Sequence, residues 1–125
     1  MSKIPVNGKR PANLSGVTVS KHTPCGSIYV TVNTLANGEP YEVRLNGMGK
    51  SGGCVRSMLE VIGTLASKSL EEKVPIDKVI KRFEGISCDR ADPPVGNDPG
   101  GSCLHKISIG IMEAFQSIKE TAHEN

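Results

Sequence analysis

The chain of 125 residues has no tryptophan and only two tyrosines and two phenylalanines, so aromatics make up 3%. Without them a core is aliphatic and thin, and a metal or a second chain would add to its stability. No apolar run approaches the ~20 residues that cross a bilayer, which excludes a membrane-spanning helix. The opening MSKIPVNGKR lacks the apolar segment of a secretion signal. A cytoplasmic setting is therefore expected, where structural disulfides are rare. An excess of one charge is lacking too. Fifteen basic and 13 acidic residues leave +2, too balanced to indicate nucleic acid or an anionic membrane as a partner.

What is present reads as one domain. Residues 1–15 carry Pro5, Gly8 and Pro11 with few large apolar groups, a flexible tail, and residues 16–121 form the domain. GVTVSKH alternates apolar and polar residues and is a candidate strand. SIYVTVN is a stronger one, and YEVRLN returns after ANGEP, whose Asn37-Gly38 is a hairpin signal. The period then changes to that of helices. Val55, Met58, Leu59, Ile62, Leu65 and Ala66 set a first helix over about 53–69, with Gly63 weakening it unless close packing needs it. Pro75 opens a second, lined by Ile76, Val79, Ile80 and Phe83 and ended by Gly85. Residues 89–101, DRADPPVGNDPGG, are a loop. Ser102 is the expected N-cap of a third helix, with Leu104, Ile107, Ile111, Phe115 and Ile118 as its buried stripe. Strands followed by helices predict an α+β domain, a hairpin with a third strand under three helices on one face.

Two groups of residues carry chemistry. The first is NGMGKSGGC, residues 46–54. A nucleotide-hydrolysing phosphate loop requires G-x-x-x-x-G-K-[ST], and its first glycine would stand where the chain has Arg44. A glycine-rich turn still offers free backbone N–H groups to an anion, with Gly49, Lys50, Ser51, Arg44 and Arg56 as the candidate phosphate contacts. The plain alternative is a tight strand-to-helix turn. The second group is the four cysteines, Cys25, Cys54, Cys88 and Cys103. There is no C-x₂-C pair, yet each stands at an element boundary beside turn residues. Four thiolates suit a closed tetrahedral Zn²⁺ site. Separate inert thiols and a redox pair remain as alternatives. His22, His105 and His123 add no interpretable Cys-His spacing, so no catalytic residue is assigned.

Taken together, KRPANLSGVTVSKHTPCGSIYVTVN, GEPYEVRLNGMGKSGGC, GISCD and GGSC resemble the TSCPD domain. This is the small cysteine-containing C-terminal domain of adenosylcobalamin-dependent (class II) ribonucleotide reductases. The resemblance runs from about Arg10 into the last helix. It implies that the four cysteines chelate metal, with Zn²⁺ the expected cofactor. The family's radical chemistry and cobalamin site belong to a large barrel domain, which 125 residues do not hold. The resemblance thus implies a stand-alone accessory domain, not an enzyme on its own. Where the family has Ser-Cys-Pro-Asp, this chain has Ser102-Cys103-Leu104-His105, so the cysteine is kept and the acid is not.

Two functions follow. One is a metal-binding accessory module that docks on a reductase, delivers reducing equivalents to it, or binds its nucleic-acid or nucleotide partner. The other is an oligomeric nucleotide or cyclic-nucleotide binder of the signal-sequestering, phage anti-defence kind. A small sheet with an open edge and face predicts a homo-oligomer, with the interface around Ile28, Val30, Tyr41 and Val43.

Overall fold

A computed structural model of the chain describes residues 11–48, 52–84, 86 and 101–124. Cys88, Gly49, Lys50 and Ser51, the end of the second helix at Gly85, and the loop at 89–100 lie outside the described residues. Three strands, β1 (Ser15–Thr23), β2 (Gly26–Thr34) and β3 (Pro40–Gly47), precede three helices, α1 (Cys54–Glu71), α2 (Ile76–Lys81) and α3 (Cys103–Glu124). The strands form one antiparallel sheet in the order β1-β2-β3. The α+β architecture is the expected one, and the candidate third strand is β1.

Side-chain alternation splits the sheet into two unlike faces. On one face, cross-strand rows run Val17–Val32–Val43 and Val19–Val30–Leu45, with Ile28 beyond them. On the other, the rows are Thr18–Thr31–Arg44 and Ser20–Tyr29–Asn46. The apolar face takes the helices: α1 packs on β3, α3 on β1 and β2, and α2 against α3 and α1. Ile28, Val30, Val32, Ile107, Ile111 and Ala114 are fully shielded at the centre of this core. Each such large aliphatic side chain contributes about 1.5–3 kcal/mol by leaving water, which lets a core without tryptophan hold.

This overturns the expected interface. Ile28, Val30, Tyr41 and Val43 are 5% exposed or less, because the chain's own helices already occupy that face. The open face of the sheet is the polar one.

The β2–β3 connection is longer than a two-residue turn. Gly38 N–H donates to the Leu35 carbonyl at 2.8 Å, Gly38 takes φ 86°, and the register shifts at Asn33/Thr34. The Asn37 side chain accepts from Glu39 N–H at 3.0 Å. The Asn-Gly pair therefore makes the hairpin through a turn followed by a left-handed glycine.

Of the apolar positions on α1, Leu59 and Ala66 are buried and Ile62 packs on the core, but Val55, Met58 and Leu65 are 49%, 63% and 63% exposed. Val61 is exposed as well. Apolar residues wrap well beyond one face of this helix, so it buries one side and presents another. Gly63 and Gly110 mark the closest approaches of helix to sheet. A Cβ on Gly63 would lie 3.3 Å from the Val43 carbonyl oxygen, and one on Gly110 2.9 Å from the Val30 side chain. No described helix is long and apolar enough to cross a membrane.

Candidate functional site

The strand directions bring the cysteine-bearing ends to one end of the domain. β1 and β2 meet in a turn that pairs Thr23 with Gly26, and β3 finishes beside it, with Gly47 opposite Ile28 and Met48 N–H donating to the Ser27 carbonyl at 3.0 Å. α1 returns along β3 from this end, crossing Val43 and Leu45 at Gly63. α3 also starts here. Gly110 meets Val30 at mid-sheet, while Phe115 lines a cleft with Leu35 and Tyr41 at the opposite end.

Each described cysteine sits on a boundary, as its neighbours in sequence suggested. Cys25 is in the β1–β2 turn and exposed. The buried hydroxyl of Thr23 shapes that turn, donating to the Gly26 carbonyl at 2.5 Å and accepting from Cys25 N–H at 3.2 Å. Cys54 is the first residue of α1, after Gly53 as its N-cap, and is exposed. Cys103 is the first residue of α3 and half-buried. Ser102 caps α3, its hydroxyl accepting from His105 N–H at 3.1 Å and donating to the Ile86 carbonyl. One buried serine thus starts the helix and ties it to the segment after α2. Sequence reasoning found this cap but missed Thr23, whose only signal was its place before Pro24-Cys25-Gly26.

Convergence on one end is looser than coordination. Among the described residues, no three His, Cys, Asp or Glu side chains group closely enough to hold a metal. Cys88, the fourth expected ligand, lies outside those residues.

The chain also turns sharply at this end. Gly47 and Met48 take φ 114° and 57°, and Gly52 takes φ 79°. Met48 is 6% exposed; burial and the bond to Ser27 hold a left-handed conformation that costs a non-glycine residue ~1 kcal/mol or more. Of the five candidate phosphate contacts, Gly49, Lys50 and Ser51 lie outside the described residues. Arg44 projects from the polar face of the sheet, where its Nε donates to Glu42 Oε1 at 3.3 Å. Arg56 is in the first turn of α1, on the other side of the sheet, half-buried, and its Nε is shielded from solvent without a hydrogen-bond partner. The two arginines therefore do not face one site. His105 Nδ1 is a second shielded, unpartnered nitrogen at this end, in the first turn of α3.

The family model described as TSCPD domain matches residues 3–115. Neither the curated proteins nor the solved structures gave a match. The match spans every element before α3 in full and α3 as far as Phe115, and the chain belongs to the TSCPD-domain family.

Proposed function

We propose that this protein is a zinc-binding accessory domain that acts by binding and not by catalysis. The observation that carries the reading is that Cys25 in the β1–β2 turn and Cys54 and Cys103 at the first positions of α1 and α3 all lie towards one end of the sheet. Family membership supports it. Thiolates are the donors that Zn²⁺ takes in closed structural sites. Here Cys25, Cys54 and Cys103, with Cys88 as the fourth, would hold the ion and tie the β1–β2 turn to α1 and α3. The ion would supply cross-linking, and the chain's part is to set the thiols, through Thr23 at the turn and Ser102 at the cap. A reductase or a nucleotide-bearing protein is the partner class. The test is zinc per chain in protein purified without added metal. A metal-free, fully folded protein with four titrating thiols would sink the reading.

A second reading rests on Arg56. A shielded guanidinium N–H without an acceptor is costly, and an anionic oxygen held by the adjoining glycine loop would satisfy it. This favours a nucleotide or cyclic nucleotide as ligand. A thermal-shift panel of mono-, di- and cyclic nucleotides separates the two readings, since only the second expects a shift that Arg56→Ala removes.

A further inference from the structure

A cleft of about 520 Å³ opens between α1 and α2, on the side of the helices away from the sheet. Its floor is Ala66, Val79 and Phe83, each 5–7% exposed. Leu65 at 63%, Ile86 at 43% and Val74 at 37% stand exposed along its walls. Met58 and Val61 extend the apolar surface along α1. Exposed aliphatic residues gathered in this way mark binding surfaces.

The polar part of the cleft has one sign. Lys78 on α2 and Arg82 at its C-cap, one turn apart, line it, and among the described residues no acidic one does. Neither cation takes part in an ion pair among the described residues. We propose that this cleft takes an amphipathic helix of another protein, with aliphatic anchors at i, i+3 or i+4, and i+7 and acidic side chains on the flank that meets Lys78 and Arg82. None of the described cysteines lines the cleft, although Ile86 and Leu104 carry it to the start of α3 beside Ser102 and Cys103.

The occupant is a helix because the walls are helices. They offer no sheet edge, so an extended peptide would bury N–H and C=O groups without partners, whereas a helix satisfies its own. The occupant is a different protein because no described helix of this chain sets more than one unopposed acid beside such anchors. The exposed ridge of α1 is flanked by Ser57, Glu60, Thr64 and Lys68, one acid against one base, and Lys68 in a second copy would bring like charge towards Lys78 and Arg82. Exposed acids of α3, Glu113 and Glu120, accompany only Met112 as a large exposed apolar residue. α2 has six residues, too few to fill the cleft.

The probe is a synthetic helical peptide of about 18 residues, roughly five turns, with leucine anchors and glutamate on one flank, beside a twin with lysine on that flank. Fluorescence anisotropy with the full chain should show the glutamate peptide binding at least about tenfold more tightly. Leu65→Glu should abolish binding, and the double variant Lys78→Glu, Arg82→Glu should reverse the preference. All three positions are exposed, so thermal unfolding of the variants should match the parent. Equal affinity for the two peptides, binding of neither, or binding indifferent to Leu65→Glu would each overturn the proposal. So would a dimer that Leu65→Glu dissociates, because the occupant would then be a second copy.

Discussion

The Ser67 hydroxyl sits against the edge of the sheet at Val43, accepting from Val43 N–H at 2.9 Å and lying 3.0 Å from the Val43 carbonyl oxygen. The Gly63 carbonyl, 2.9 Å away, shares its proton. Val43 faces its partner Val32 in β2 with side chains inward, and the next rung of the ladder belongs to its neighbours. Its backbone groups therefore point outward from β3, where an unpaired edge would invite another strand. Helix α1 caps that edge at Val43 through one side chain.

Ser67→Ala removes the acceptor of a partly buried N–H. It should lower stability by about 1–2 kcal/mol in chemical denaturation, with no change in zinc content. A change within the fit error would mean that water replaces the hydroxyl and that the edge is not sealed.

Gly63 allows this contact by letting the helix backbone approach Val43 and Leu45. Gly63→Val should cost roughly 1–3 kcal/mol, because backbone atoms cannot move aside for it. Gly63→Ala should cost less, since alanine regains up to ~1 kcal/mol of helix propensity. Denaturation midpoints of the pair check the order, and a valine variant as stable as the parent would contradict the close approach.

The cysteine end gives a coupled outcome. Elemental analysis should find about one zinc per chain. Cys54→Ser and Cys103→Ser should each lower both zinc content and thermal stability, because site formation is coupled to folding. Thr23→Val should weaken zinc retention against a chelator while leaving all four thiols in place, since it loosens only the turn that presents Cys25. Equal retention in Thr23→Val and parent would remove the turn from the site.

Of the two sheet edges, β1 has no such helix cap among the described residues. The pair Thr23 and Gly26 closes a two-residue turn, so Gly16, Thr18, Ser20 and His22 aim their N–H and C=O groups away from β2. Pairing of β1 with a second β1 should give a dimer by light scattering at micromolar concentration. Thr18→Pro should yield a monomer of similar stability, since proline is tolerated at an outward edge position. A Thr18→Pro protein that keeps the parent's mass would place any interface elsewhere.

Much of this molecule was determined by local sequence. Alternation in GVTVSKH, SIYVTVN and YEVRLN, the Asn37-Gly38 pair, Pro75 at the start of α2 and Ser102 at the cap of α3 act within a few residues of themselves, so they read directly as elements. The boundary positions of Cys25, Cys54 and Cys103 were legible for the same reason. What tertiary structure decided was which apolar side faces inward. Leu59 and Ala66 share α1 with Met58 and Leu65, and periodicity cannot rank two apolar sides of one helix. The rank follows from β3, which meets the helix at Gly63 and fixes its rotation through Ser67. The same packing put Ile28, Val30, Tyr41 and Val43 under helices and not at an interface, and it set Arg44 and Arg56 on opposite sides of the sheet. Burial is a property of distant segments meeting, and only the folded chain brings them together.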